Sequence, residues 1–121
     1  MAIITITNKR YTVEPIYQWN KNQKLKIYGL SLPSTPEIHF TNKAINGVIT
    51  RQATMGTDGV ITVDIPNYLL QYPHKITAYV CLYDGESFES RCELIIPITP
   101  RPKPVEYVVD EEEISENFFT S

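Results

Sequence analysis

The chain has 121 residues, of which 42 % are hydrophobic and 21 % are charged. These are globular values for a single domain, and they exclude both a chain disordered throughout and a pair of ordinary domains. The formal net charge of −3 hides an asymmetry, because residues 105–121 hold six acidic residues and no lysine or arginine. The basic residues are scattered over the rest of the chain without forming a cluster, which argues against nucleic acid as a partner.

The N-terminal sequence MAIITITNKR has an apolar-rich start of only five residues, which is too short for a signal peptide. No apolar run approaches the length of a membrane span, so we expect no membrane partner. Cys81 and Cys92 are predicted on adjacent strands but on opposite faces of the sheet, so we expect no disulfide. Together these features predict synthesis in a reducing cytoplasm.

Short β-strands are predicted along the first half of the chain. Residues 2–7 alternate isoleucine and threonine, which favours a strand. The apolar positions from Tyr11 to Trp19 are interrupted by Pro15, which indicates an edge strand or a bend. Two further strands are predicted at residues 24–30 and 37–42, where apolar and polar side chains alternate.

The middle of the chain carries strong turn signals. Asn46-Gly47 predicts a two-residue hairpin, followed by a strand over residues 48–54. Gly56 and Asp58-Gly59 then predict a turn into another strand over residues 60–65.

A single helical turn is predicted at residues 68–72. Asn67 is the expected cap of this turn, and Pro73 the residue that stops it. The turn would place Leu69 and Leu70 under the sheet.

The central feature of the sequence is a long hairpin at residues 76–96. Both faces of its first strand are largely apolar, which predicts a central strand covered on each side. Asp84-Gly85 supplies the turn. The return strand is predicted to place four apolar side chains on one face: Phe88, Cys92, Leu94 and Ile96.

The fold class predicted from these elements is all-β, a single antiparallel β-sandwich of immunoglobulin-like character over residues 1–98. A jelly roll or a small barrel remains open, because strand order is not visible in the sequence. Residues 97–104, PITPRPKP, carry four of the nine prolines. Such a run favours polyproline II, and we expect residues 99–104 to form a semi-rigid stem before an acidic tail at 105–121.

The sequence argues against catalysis. His39, His74, Cys81 and Cys92 are the candidate zinc ligands, and no pair of them has usual ligand spacing. Cys81 is flanked by Val80 and Leu82, so a buried structural thiol is favoured over a nucleophile. We expect neither an enzyme nor a bound cofactor.

The aromatic residues allow two interpretations, a sugar-binding surface or a packed core. Trp19 and five tyrosines would suit a carbohydrate-stacking surface: Tyr11, Tyr17, Tyr28, Tyr79 and Tyr83. A single tryptophan early in a sandwich is more often a core anchor, which is the role predicted for Trp19.

A string of segments resembles a known class of phage protein. YQWNKNQKLKIYGL, PEIHFTN, DGVITVDIPNYLLQYP, ITAYVCLYDGES and IIPITPRPKPVEYV are similar, in order and spacing, to the immunoglobulin-like N-terminal modules of baseplate and fibre proteins from phages and prophages of Gram-positive bacteria. The resemblance covers roughly residues 17–108. The sequence departs from that pattern at Asn22-Gln23, where a Trp-x-x-Gly-Gln turn is expected, and at Glu106, where Asp is usual.

The resemblance implies a virion structural protein, made in the cytoplasm of the bacterial host and acting as a decoration, connector or baseplate-associated component. Its expected partners are other virion proteins and copies of itself. The alternative is a carbohydrate-binding adhesion module that contacts a host surface glycan. Apolar residues among the acids of the tail form the candidate docking element: Tyr107, Val108, Val109, Ile114, Phe118 and Phe119.

Overall fold

The protein is built almost entirely from β-strands. The computed structural model describes residues 9–30, 32–84 and 87–107, and the strand predicted at residues 2–7 lies outside them. The described strands are β1 (Lys9–Thr12), β2 (Ile16–Tyr17), β3 (Lys24–Ile27), β4 (Glu37–Thr41), β5 (Ile49–Gln52), β6 (Thr54–Met55), β7 (Ile61–Asp64), β8 (Ile76–Asp84), β9 (Ser87–Ile96) and β10 (Ile98–Thr99). The predicted all-β class is confirmed.

The larger sheet has five strands in the order β1-β9-β8-β4-β5. The β8–β9 hairpin predicted from the sequence lies at its centre and pairs antiparallel from Ile76↔Ile96 to Asp84↔Ser87. The sheet is not antiparallel throughout, because β1 runs parallel to β9. The short strands β2 and β10 also pair in parallel. Parallel partners need a long connection between them, and here the whole body of the domain supplies it.

A second sheet has three strands in the order β3-β7-β6. β5 and β6 are separated only by Ala53, so the chain passes almost directly from the larger sheet to the smaller one. The side chains of both sheets meet in one hydrophobic core, which also receives Leu69 and Leu70.

The core is built by the alternation that the strand sequences carry. In β4, Ile38 and Phe40 are fully buried, whereas Glu37, His39 and Thr41 are half-buried on the opposite face. Burying an aliphatic or aromatic side chain of this size contributes roughly 1.5–3 kcal/mol, so the core face dominates the stability of the sheet. The largest fully buried side chains are Phe40, Ile38, Ile49, Ile61, Leu69, Leu70, Ile76 and Ile96.

The opposite face of the larger sheet, here called the outer face, is only partly covered. We expected β8 to be covered on both sides, but its residues Thr77, Tyr79 and Tyr83 are half-buried or exposed. The apolar character of this face therefore does not reflect a second covering layer. The outer face carries Glu37, His39, Thr77, Tyr79, Cys81, Tyr83, Phe88 and Ser90.

A β-bulge changes which side chains of β9 face the core. Val80 pairs with Cys92, but the next residue, Cys81, pairs with Ser90, so the register shifts at this point and Arg91 is the extra residue. A strand that gains one residue reverses the faces on which its side chains fall. Cys92, Leu94 and Ile96 face the core as predicted, but Phe88 lies opposite Tyr83, on the outer face.

Two local predictions differ from the structure in detail. The Asn46-Gly47 hairpin does connect β4 to β5, but Phe40 pairs with Ile49, and a longer loop separates the strands. Asn42 organises this loop, since its side-chain oxygen accepts a hydrogen bond from the Ala44 N–H. Local side-chain bonding of this kind stabilises a longer turn than the dipeptide alone predicts.

The predicted helical turn is a 3₁₀ helix at Asn67–Gln71, with Leu69 and Leu70 fully buried as expected. Asn67 does not cap it. The preceding residue, Pro66, occupies the cap position. The side-chain oxygen of Asn67 instead accepts a hydrogen bond from the N–H of Asn22, 2.8 Å away.

Candidate functional site

The segment that follows β10, residues 100–107, is here called the exit segment. Gln18 and Trp19 hold it against the body of the domain. Gln18 donates a side-chain hydrogen bond to the Gln71 carbonyl at 2.7 Å, and its side-chain oxygen accepts one from the N–H of Arg101 at 3.3 Å. Its backbone N–H bonds the Thr99 carbonyl at 2.8 Å. Gln18 is buried, so these polar contacts are shielded from water and tie the 3₁₀ helix to the exit segment.

Trp19 makes the second attachment. Its backbone N–H donates to the Leu70 carbonyl at 2.8 Å, and its indole N–H donates to the Arg101 carbonyl at 3.1 Å. The backbone of Trp19 has a φ of 74°, a left-handed conformation that is uncommon for a bulky residue and costs of order 1 kcal/mol. That conformation places the indole where it reaches the exit segment, and we name Gln18, Trp19 and their partners Arg101, Lys103 and Tyr107 the exit clamp.

Ring contacts complete the exit clamp. The rings of Trp19 and Tyr107 meet edge-to-face with centroids 5.1 Å apart. Lys103 Nζ lies 5.6 Å from the centroid of the Trp19 ring, and Lys21 Nζ lies 4.9 Å from that of Tyr107. Cation–π contacts at such exposed positions contribute about 0.5–1 kcal/mol each. The exit segment is therefore fixed along its length, from Arg101 to Tyr107.

Trp19 is not the core anchor that the sequence predicts. It is half-buried and lies outside the hydrophobic core, whose members come from the two sheets and the 3₁₀ helix. The reason is that its backbone lies in a turn after β2, with the indole directed to the exit segment instead of between the sheets.

Of the predicted docking residues, the structure describes only Tyr107. Its ring already contacts Trp19 and Lys21 within the same chain. Val108, Val109, Ile114, Phe118 and Phe119 lie outside the described residues. Sequence reasoning did not identify Gln18 or Arg101, because nothing in their local pattern signals a contact across eighty residues.

A second candidate surface lies on the outer face, near the β8–β9 turn. Tyr83 and Phe88 are 59 % and 46 % exposed, and their ring centroids are 4.6 Å apart. The Phe88 ring also stacks on His39 at 5.6 Å, and His39 Nε2 lies 2.8 Å from Glu37 Oε1. Desolvation of its hydroxyl, followed by the negative charge of Glu37, raises the pKa of Tyr83.

Of the remaining tyrosines, Tyr79 lies on the same outer face, opposite His39 of β4, whereas the other three lie elsewhere. Tyr11 and Tyr28 line a groove of about 230 Å³ between β1 and β3, whose floor includes Leu25, Ile27 and Leu94. Tyr17 lies on β2 and is exposed elsewhere. The six aromatic residues proposed as one carbohydrate-stacking surface are thus divided among several parts of the molecule.

Both cysteines are free and buried on opposite faces of β8–β9, as the strand pattern predicts. Burial raises the pKa of the Cys81 thiol and of the Cys92 thiol, which keeps both protonated at neutral pH. Among residues 9–30, 32–84 and 87–107, no three His, Cys, Asp or Glu side chains gather as a potential metal site.

Within the part of the chain that the structure describes, we find no helix with the length and apolarity needed to cross a membrane. Comparison with known proteins found no protein-family model that matches the chain and no curated protein with a significant sequence match.

Proposed function

We propose that this chain is a structural component of a phage particle, a decoration, connector or baseplate- or fibre-associated protein that acts through protein–protein contacts and not through catalysis. The observation that carries the proposal is the exit clamp. A domain whose only task is to bind a small ligand gains nothing from fixing the direction in which its chain leaves. A connector does, because a fixed exit avoids the entropy cost of orienting the attached segment during assembly.

The fold supports the same proposal. We interpret the two sheets with their common core as an immunoglobulin-like sandwich, the architecture implied by the resemblance of residues 17–108 to modules of phage baseplate and fibre proteins. Such a domain presents loops and strand edges on a rigid frame, and β1, β3, β5 and β6 each lie at a sheet edge. Its proposed partners are other virion proteins and further copies of the chain, and its proposed location is the virion.

The charge distribution gives the tail a role in docking. Residues 105–121 carry six acids and no lysine or arginine, whereas residues 1–104 carry eight acids and eleven basic residues. An acidic segment with interspersed apolar residues can bind a neighbouring subunit through both kinds of contact. Since Tyr107 already contacts Trp19, we propose that the docking element begins after Tyr107.

Truncation after Tyr107 tests this role, because it removes the proposed docking element and keeps the residues of the exit clamp. The shortened protein should fold, because the core cluster ends at Ile98, but it should not enter particles when it replaces the full chain. Thermal unfolding of the truncated protein is the control that shows whether it is folded. Trp19→Phe in the full chain is a matched variant that keeps its tail. Incorporation of the truncated protein at the level of the full chain would contradict the proposed docking role.

A further inference from the structure

The exposed ring pair of Tyr83 and Phe88 has no role in the exit clamp. The two residues lie directly opposite each other on β8 and β9, and both project from the outer face. Two adjacent rings with about half of their surface in water are costly to leave exposed, and such sites are frequently binding sites. Tyr28 is more exposed, but it lies on a different surface, in the groove that it lines with Tyr11.

The pair is held in place before any ligand arrives. Phe88 on β9 stacks on His39 of β4 at 5.6 Å with an interplanar angle of 23°, so the contact spans the intervening strand β8. His39 is in turn fixed by Glu37 at 2.8 Å. The bulge beside Arg91 is what places Phe88 on this face, and bulges often re-aim a side chain at a functional position.

Polar groups flank the rings. Glu37 contributes a half-buried carboxylate next to Tyr83, whose hydroxyl is itself a donor and an acceptor. Ser90 Oγ lies 3.6 Å from Cys81 Sγ on the same face. We name the set Glu37, His39, Tyr83, Phe88 and Ser90 the outer-face platform. It combines flat apolar rings with hydroxyl and carboxylate groups.

The size and chemistry of the outer-face platform limit the classes of ligand that it can bind. A stable protein interface buries about 800 Å² on each partner, far more than two side chains provide. None of the five residues of the platform is a lysine or an arginine, which disfavours phosphate and other anions as ligands. A cation such as choline requires rings that surround it, whereas Tyr83 and Phe88 lie side by side with their planes at 46°.

A sugar ring fits these constraints. One face of a pyranose whose hydroxyls are equatorial is a patch of C–H groups, which packs on an aromatic ring, while its hydroxyls form hydrogen bonds at the edge. We propose that the outer-face platform binds an oligosaccharide of equatorially substituted pyranoses, such as β-1,4-linked glucose or N-acetylglucosamine, by stacking on Tyr83 and Phe88 with Glu37 accepting from the sugar hydroxyls. The proposal is independent of the assembly role, since it uses a different surface.

The test is an NMR titration of the ¹⁵N-labelled full chain with cellohexaose and with chitohexaose. We expect saturable shifts at the amides of Glu37, Tyr83, Phe88 and Ser90 with at least one of the two sugars. Phe88→Ala should weaken binding by about tenfold or more, as expected when an aromatic stacking partner is removed. Tyr28→Ala is the matched control, because the Tyr28 side chain is 68 % exposed and lies on a different surface. This substitution should leave sugar binding unchanged.

Three results would overturn the proposal. They are the absence of saturable shifts with either sugar, equal weakening by Tyr28→Ala and Phe88→Ala, and platform shifts with choline chloride but not with the sugars. Tyr83→Ala gives a second measure of the same surface, and the dispersion of the spectrum reports whether each variant is folded.

Discussion

Cys81 is only 1 % exposed although it lies on the outer face of β8, among side chains that are half-buried or exposed. The core cluster does not include it, so the side chains of the outer face must provide its cover. The contact between Phe88 and His39 crosses β8, the strand that carries Cys81. We infer that the Phe88 ring shields the thiol from water.

Phe88→Ala should therefore make Cys81 accessible to a thiol reagent. In a Cys92→Ala background, which leaves Cys81 as the reporter, we expect the rate of reaction with DTNB at neutral pH to rise by about an order of magnitude or more. The rate should increase because exposure grows and because less burial lowers the pKa of the thiol towards its ordinary value. Tyr28→Ala in the same background is the control, and an equal rate in the Phe88→Ala variant would show that Phe88 does not cover Cys81.

At the scale of single elements, Gln18 and Trp19 fix the exit segment through contacts that lie more than eighty residues apart in sequence. Gln18 accepts from the Arg101 N–H, whereas Trp19 both donates a hydrogen bond to the Arg101 carbonyl and offers a ring to Tyr107 and Lys103. Its left-handed backbone costs part of the energy that these contacts contribute. The net stabilisation is therefore modest, and the main effect is on orientation.

Trp19→Ala should release the exit segment without unfolding the domain. We expect the ¹⁵N heteronuclear NOE of Lys103 and Tyr107 to fall towards values of mobile chain, because the amide motion on the picosecond-to-nanosecond scale increases. The free energy of unfolding should fall by about 1 kcal/mol, since one exposed hydrogen bond is lost while the backbone strain at residue 19 remains in alanine. Trp19→Phe, which keeps a ring but loses the indole N–H, should give intermediate values. An unchanged NOE in Trp19→Ala would mean that the exit segment is rigid without the clamp.

The elements that sequence reasoning predicts well are those with a local periodic signal. β3, β4 and β7 each alternate apolar and polar side chains, and the burial of all three strands follows that alternation. The 3₁₀ helix is bounded by Pro66 and Pro73, so its position can be predicted from the sequence. Where the signal is local, the pattern and the structure agree.

The differences arise where a distant contact decides the structure. Nothing in the sequence of β9 marks the extra residue at Arg91, so the face of Phe88 could not be derived from alternation. The parallel pairing of β1 with β9, and of β2 with β10, depends on which strands meet across the whole chain. Residue type alone predicts Trp19 in the core, although its place is set by contacts with Arg101 and Tyr107.

At the scale of the whole molecule, one hydrophobic core supports two separate surfaces. The exit clamp orients the proline-rich segment that leads to the acidic tail, and the outer-face platform lies on the exposed face of the five-stranded sheet. Within residues 9–30, 32–84 and 87–107, both buried thiols have raised pKa values and no three potential metal ligands gather. The structural role that we propose would account for the exit clamp, the proline-rich segment and the acidic tail together.

The most direct test of that role is quantitative mass spectrometry of purified particles of the phage that we propose encodes the chain, with its copy number measured relative to the major capsid protein. We predict that the chain is present at a fixed ratio, in hundreds of copies if it belongs to the head or tens or fewer if it belongs to the tail or baseplate. Complete absence of the chain from particles that assemble normally would contradict its role as a structural component.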